Sequence, residues 1–558
     1  MLGKRLKHAR RYREILHGFL RNGFGYLIKD LGLSEAFAIS IRKTEQPSDI
    51  SQRSLGERLR NLFQDLGTTF IKLGQIASTR RDLLPESIIR ELEQLQKQVP
   101  PFSFSVVEDI IRKELGADIE AIFSEFSEKP VASASIAQVH KARLRSGQKV
   151  AVKIQRPDIK EVIETDLEIL LDLAKLMDAK FDWAKTYRVL DLVEEFSRKL
   201  MLELDFSNEG RNTEKVANQF VKSKTVKIPK IYWNYTTKKI LTMEFIDGIN
   251  INDDEKLTVR GYERKKIAAD FAECMFQQIF SGGYFHGDPH PGNVVVMADG
   301  KIGLIDFGLI GHLSQKLRYQ FVTLILALKK GKTEMVIDAL HKMGLFPDDV
   351  DYTLLKFDIE RIIDKYYDIP LKNFHMGQAI NDLFRITLRH HIQLPTEFTV
   401  LGKTLLTLEG IISHLDPDFN MMKFAEPYAE KIMKEYYHPR RLAETTFHQL
   451  RDYGELFMEF PKTLQDVTSM AKKGKLRLEI SAVDLNTAIK KLNQISNKIS
   501  FSIVLLAFSI VCSGLIIGSS IVRQSTLIWE IPIIEIGAVI ASFMFLWLLF
   551  AIFRSGRF

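Results

Sequence analysis

Three short segments carry side chains that could together handle a nucleotide and its metal. They are Val150-Ala151-Val152-Lys153, then His286-Gly287-Asp288-Pro289-His290-Pro291-Gly292-Asn293, then Ile305-Asp306-Phe307-Gly308. A lysine ending a strand can place a cation on the α- and β-phosphates. Asp306 and Asn293 offer carboxylate and amide oxygens, the ligands that Mg²⁺ prefers. Asp288 is placed to orient or deprotonate a nucleophile near the γ-phosphate. Alone, each residue has a plainer role: Asp288 caps a turn before Pro289, Asp306 ends a hairpin, and Lys153 is a solvated strand residue. Their order and spacing together favour the chemistry, with ATP and Mg²⁺ as the expected cofactors. His286 and His290, four apart in a proline-rich loop, read as scaffold rather than as a metal pair.

The order matches the protein-kinase signature, with Asp288 and Asn293 five apart as in H-R-D-x-x-x-x-N and Asp306 opening a D-F-G. Two parts of that signature are missing. Where G-x-G-x-x-G should cover the phosphates, the chain reads Val131-Ala132-Ser133-Ala134-Ser135-Ile136-Ala137. Alanine permits close backbone approach but lacks the φ freedom of glycine. After Gly308 no A-P-E follows, so the platform for a peptide substrate is reduced or absent.

The elements that must position these residues follow from periodicity. Helix is expected over 54–98, ended by Pro100-Pro101, and again over 104–127. Strand-like runs follow at 131–139, 141–144 and 150–154, helix over 158–222, and strands at 226–231 and 239–245. Helices dominate 256–440, interrupted at 281–311 by loops and two short strands. The fold class expected is α+β: a bilobal protein-kinase-like fold with an N-terminal helical extension and a C-terminal transmembrane helical hairpin. The divisions are a basic amphipathic segment (1–50), an extension (51–127), an N-lobe (128–250), a C-lobe (251–440), a helical linker (441–498) and two transmembrane helices (499–553).

Composition narrows the class. With 46% hydrophobic and 27% charged residues, wholesale disorder and collagen-like structure are excluded. Cys274 and Cys512 are too few and too far apart for a disulfide framework or a thiolate zinc site. The net charge of +8 is concentrated in residues 1–30 and 462–498. No nucleic-acid-reading motif accompanies it, and a basic segment near a membrane span suits an anionic lipid surface. Residues 499–522 contain no charge, and neither do 536–553. The first run exceeds the roughly 20 residues a helix needs to cross a bilayer. Lys490, Lys491, Lys498, Arg554 and Arg557 flank the pair, which puts both ends, and the kinase-like domain, on the cytoplasmic side. A bacterial inner membrane is expected ahead of an organellar one. In the first thirty residues Leu6, Tyr12, Ile15, Phe19 and Leu20 share one side of a helix that lies on a membrane or on the protein itself.

Over about 50–435 the chain resembles the UbiB/ADCK family of atypical kinase-like proteins, some of them tied to ubiquinone biosynthesis. The most specific mark is Phe70-Ile71-Lys72-Leu73-Gly74-Gln75, the family's K-x-G-Q motif. The resemblance implies that Lys72 and Gln75 lie on a helix folded over the nucleotide pocket, and that the alanine-rich loop replaces the glycine-rich one. It implies that Glu203-Leu204-Asp205 is the E-x-D motif, with Glu203 paired to Lys72, and that Glu209 pairs with Lys153. It further implies a hinge at Met243-Glu244-Phe245-Ile246, with Glu244 and Ile246 at the adenine, and Ala132, Ser133, Ala134, Ser135 and Ile136 at the nucleotide. Gln96-Lys97-Gln98 departs from the family, where an acidic residue is expected.

The function expected is that of a membrane-anchored, ATP-binding atypical kinase or ATPase supporting isoprenoid quinone biosynthesis or handling. Its partners would be the bilayer, the quinone or its precursors and quinone-biosynthetic enzymes, with a homodimer as a candidate assembly and no nucleic acid. A nucleotide-binding pseudokinase scaffold and a true protein kinase are the alternatives.

Overall fold

Alternation along one strand sets the geometry of the small lobe. In Lys149–Gln155, Val150, Val152 and Ile154 face one way and pack with Val107, Ile111, Phe123 and Leu144. Ala151 and Lys153 therefore take the other face. There Ala151 joins a second apolar cluster with Phe206 and Leu241. This strand is central in an antiparallel sheet ordered Phe123–Phe126, Ala137–Leu144, Lys149–Gln155, Ile240–Glu244, and the short strand Ala132–Ser133 pairs with Ala137–Leu144. Lys153 lies opposite Val139 on one neighbour and Leu241 on the other.

These features come from a computed structural model that describes residues 2–32, 53–95, 100–186, 188–344, 346–347, 350–366 and 375–436, with single positions between 503 and 543. The chain divides into two compact units, Met1–Leu442 and Ala443–Phe558. The large lobe of the first unit is helical, with Phe271, Phe276, Phe285, Phe307, Leu405 and Leu408 in its core. The same unit carries two small sheets. One is ordered Val226–Lys227, Ile302–Leu304, Val294–Met297, Gly248–Asn250, and the other pairs Tyr284–His286 with Ile310–His312. The Asp288–Asn293 loop joins these two sheets, and so does the segment carrying Asp306. Both candidate loops thus have strand ends holding them on each side.

Several expected elements are shorter or more divided than the sequence pattern suggests. The 54–98 run is broken into Leu55–Leu66, Thr68–Ala77 and Glu86–Glu93, the first break falling at Gly67 with φ +90°. The 104–127 helix stops at Leu115 because Gly116 closes it in the left-handed conformation, and a strand begins at Phe123. The 131–139 run is two strands with a tight turn between them. Residues 158–222 form the helices Ile159–Lys180, Asp182–Thr186, Val189–Glu203 and Phe206–Ala217. Cys274 is buried, which pushes its thiol up to about 12 and keeps it protonated.

The helix Leu2–Arg21 lies on the protein. Ile15 and Leu16 are buried, and Tyr12, Phe19 and Leu20 pack in the same cluster as Leu62, Leu66 and Ile163. Arg11 Nε donates to Asp166 Oδ1 at 2.7 Å, and Arg11 Nη2 donates to the Leu66 carbonyl at 2.6 Å. No helix among the described residues is long and apolar enough to cross a membrane. The expected spans at 499–522 and 536–553 fall outside the described residues except for single positions, as do Gln96-Lys97-Gln98, Cys512 and the 441–498 linker.

Arg11→Ala would leave the buried Asp166 carboxylate without its partner. It should lower unfolding free energy by about 2 kcal/mol, below the usual cost of breaking a buried pair because Arg11 keeps some solvent contact. Chemical denaturation checks the loss, and nucleotide affinity should be unchanged.

Candidate functional site

Lys153 reaches across from its strand to the first turn of the helix Phe206–Ala217. Its ammonium donates to both Glu209 oxygens, at 3.0 and 2.8 Å, and stands 3.8 Å from Asp306 Oδ1. The ring of Phe206 lies 5.5 Å beneath it. Burial works against the charge on Lys153, but Asp306 and Glu209 outweigh it and hold the ammonium well above its usual range. Burial pushes the Glu209 carboxyl up, against the pull of Lys153. The helix is set by its own cap: Asp205 accepts from the Ser207 N–H at 3.0 Å. Asp205 of the E-x-D motif therefore orients the helix that presents Glu209.

The Asp288 and Asp306 segments are tied by a histidine. The Asp288 N–H donates to His286 Nδ1 at 3.2 Å, so His286 Nε2 carries the proton and donates to the Ile305 carbonyl at 3.1 Å. Burial lowers His286, which keeps it neutral in this role. Asn293 Nδ2 donates to the Asp288 carbonyl at 3.1 Å, which turns the amide oxygen away from that bond, and the Ile305 N–H donates to the Asn293 carbonyl at 3.0 Å. Asp306 has φ +62°, a conformation that costs a non-glycine residue about 1 kcal/mol or more. The charge of Lys153 holds its carboxyl far below the usual range, helped by the Gly308 N–H and by Lys72. The Asp306 side chain is half-exposed and faces solvent-accessible space.

Lys72 and Gln75 share one face of the helix Thr68–Ala77. Lys72 pairs with Glu203 at the end of Val189–Glu203, both side chains mostly buried. Gly74 between them is required by close approach, since a Cβ there would stand 2.2 Å from Leu95 and 2.8 Å from Phe63. In the alanine-rich loop no residue has positive φ, so the turn needs no glycine. Ala132 and Ala134 are exposed, Ser133 is half-buried, and Ser135 and Ile136 are buried. At the hinge, the Glu244 carboxylate is taken by Lys227 at 2.7 Å and by the Lys230 N–H at 3.2 Å. The Glu244 backbone N–H donates to the Lys230 carbonyl at 2.8 Å. Ile246 packs on Gly303, just before Asp306.

Two residues escaped the sequence reading. Arg156 donates to the Ala134 carbonyl at 3.0 Å and to Ser133 Oγ at 2.9 Å, pinning the loop that lacks glycines. Lys403, on Thr396–Leu415, stands 3.1 Å from Asp288 Oδ1. Neither sits in a motif, and no spacing rule links residue 403 to 288. Among the described residues no group of three or more His, Cys, Asp or Glu could hold a metal unaided. A magnesium–nucleotide site needs no such group, because phosphates and water complete the shell; Asp306 and Asn293 fit it as the hard oxygen donors.

Comparison with known proteins places this arrangement. Residues 94–340 match the ABC1 atypical kinase-like domain, 359–420 the UbiB helical domain and 483–554 the ABC1/UbiB kinase-like C-terminal domain. An uncharacterized protein from the hydrogenase 1 5′ region of Clostridium pasteurianum is 35% identical over 511 residues, covering 90% of this chain and 93% of that one. The chain belongs to the ABC1/UbiB atypical kinase-like family. An uncharacterized Synechocystis protein is 31% identical over 453 residues, covering 80% of this chain and 77% of its own. A solved Mycobacterium tuberculosis chain, described as a complex with erythromycin, has a TM-score of 0.46 at 24% identity, covering 63% of this chain and 90% of its own. In ABC1/UbiB terms, Lys153, Glu209, Asp306, Asn293 and Asp288 all belong to the first matched domain, whereas Lys403 belongs to the helical one.

Asp306→Ala should weaken Mg²⁺-dependent adenine-nucleotide binding about 10- to 100-fold, the scale of one lost charge-assisted contact. Titration calorimetry with Mg²⁺ and with EDTA checks this, and equal affinity in mutant and wild type would contradict it. Burial also lowers His286 and His140 relative to the unfolded chain. The unfolded state then takes up protons first, so the melting temperature should fall as pH drops through about 6.5. A flat acid limb in thermal melts would count against this reading.

Proposed function

We propose that this protein is a membrane-anchored ABC1/UbiB kinase-like enzyme. It uses Mg²⁺-ATP, as an ATPase or small-molecule kinase, in the synthesis or handling of an isoprenoid quinone lipid. The observation that carries the reading is the convergence of Lys153, Glu209 and Asp306 beside the Asp288–Asn293 loop. Lys153, fixed by Glu209, binds the phosphates. Asp306 and Asn293 would hold Mg²⁺, which supplies charge neutralisation on the phosphate oxygens. Asp288 orients the attacking oxygen and accepts its proton. The Lys72–Glu203 pair and the short path from Gly308 to the helix Gln315–Lys329 favour water or a small acceptor over a peptide. The family's link to ubiquinone biosynthesis favours a quinone pathway. The uncharged stretches at 499–522 and 536–553 support a hairpin anchor with the kinase-like unit on the cytoplasmic face of a bacterial inner membrane.

Quinone profiling of cells lacking the protein tests the reading. Wild type should restore the quinone pool and Asp306→Asn should not. Full restoration by Asp306→Asn would favour a scaffold without turnover, and Asp306-dependent label transfer from ATP to a protein would favour a protein kinase. Lys72→Ala should abolish complementation while leaving nucleotide affinity within about threefold, because Lys153 supplies the main charge that keeps Asp306 ionised and Lys72 only a smaller part. If the changes in ATP binding and autophosphorylation caused by Lys72→Ala and Glu203→Ala simply add in the double mutant, the two are uncoupled and this role is wrong.

A further inference from the structure

The loop from His286 to Asn293 contains no lysine or arginine, and Gly287 stands where H-R-D has its arginine. A Cβ at 287 would meet Leu309 Cγ at 2.8 Å and Val400 Cγ1 at 3.0 Å, so no long cation fits there. A cation nonetheless reaches Asp288, and it comes from the helix Thr396–Leu415. Lys403 Nζ lies 3.1 Å from Asp288 Oδ1, with both side chains mostly buried.

The helix is docked on the loop by more than this contact. Thr404 Oγ1 donates to the carbonyls of His286 and Gly287 at 3.4 and 3.3 Å. Val400, Lys403 and Thr404 are spaced i, i+3, i+4, so one helix face supplies packing, charge and hydrogen bonds to one short loop. Asp288 Oδ2 has His290 Nε2 at 4.0 Å, a weaker neighbour that is charged only when protonated.

We propose that Lys403 is a positioning residue for phosphoryl transfer. Its ammonium holds the Asp288 carboxylate in orientation and offsets the negative charge gathering between that carboxylate and the transferring group. In that step the acceptor oxygen bonds to the γ-phosphorus while the bridging P–O bond to the β-phosphate breaks. ADP leaves with the bonding electrons, and the acceptor proton passes to Asp288. The inference rests on reading the site as one of ATP turnover, and it gives the helical domain a part in the chemistry of the kinase-like domain.

The test uses the full chain in detergent, comparing wild type with Lys403→Met, Lys403→Gln and Lys403→Arg. Expected are a kcat for ATP lowered about 10- to 100-fold in Lys403→Met and Lys403→Gln, the range for one positioned charge in a transfer site. KM for ATP and affinity for Mg²⁺-ADP should stay within about twofold, and Lys403→Arg should recover most of kcat. Affinity for Mg²⁺-ADP with aluminium fluoride, which mimics the transferring phosphoryl group, should fall in step with kcat. Wild-type kcat in both neutral variants would overturn the inference alone. So would a parallel fall in kcat, Mg²⁺-ADP affinity and melting temperature in whichever neutral variant folds, since that marks a structural tie. A wild-type chain with no ATP turnover and no gain from aluminium fluoride would overturn this inference together with the reading on which it rests.

Discussion

A lysine and a glutamate taken out of water together, as Lys153 and Glu209 are, tolerate little displacement of either partner. Separation would leave each charge buried and uncompensated, a penalty larger than the net gain from pairing them. The strand Lys149–Gln155 and the helix Phe206–Ala217 are therefore locked to each other. Much nearby structure serves that lock. Phe206 lies under the ammonium, Asp205 caps the helix, and Gly210 lets Trp233 come close, where a Cβ would stand 2.9 Å from its ring. Asp306 then finds a fixed cation beside it, which keeps its carboxylate charged and ready for metal.

The extension places a second layer over this pair and bridges the lobes. Arg80 pairs with Glu195 at 3.1 Å, and Glu195 also accepts from Thr396 at 2.6 Å, at the start of the helix that carries Lys403. Arg81 donates to Asn381 at 3.1 Å. Lys72, from the same extension, contributes to the field at Asp306 while paired with Glu203. A charged network of this kind gives geometry more than stability, because the cost of taking each charge out of water offsets much of the gain from pairing it.

Much of the candidate site was legible because its residues sit in short ordered motifs. Lys153, Asp288, Asn293 and Asp306 announce themselves by residue type and spacing. Glu209, Glu203 and Lys72 did not, since a glutamate on a helix and a solvated glutamate look alike in sequence; the family resemblance supplied them. The lobes followed from the switch between two-residue and helical periodicity, whereas the helix ends at Gly67 and Gly116 depended on backbone conformations that a single glycine only hints at. Arg156 and Lys403 were invisible because they lie outside any motif and their partners are 22 and 115 positions away, so only packing brings them together. The amphipathic face at the N-terminus was read correctly as a face, but only burial of Ile15 and Leu16 against protein could say what covers it.

The most direct measurement is a double-mutant cycle on Mg²⁺-ATP affinity with Lys153→Met and Glu209→Gln. If the pair is the element that organises the site, each single change removes most of the binding and the double change costs little more than either. Losses that simply add would mean that Lys153 and Glu209 act independently, and the account of the site would be wrong.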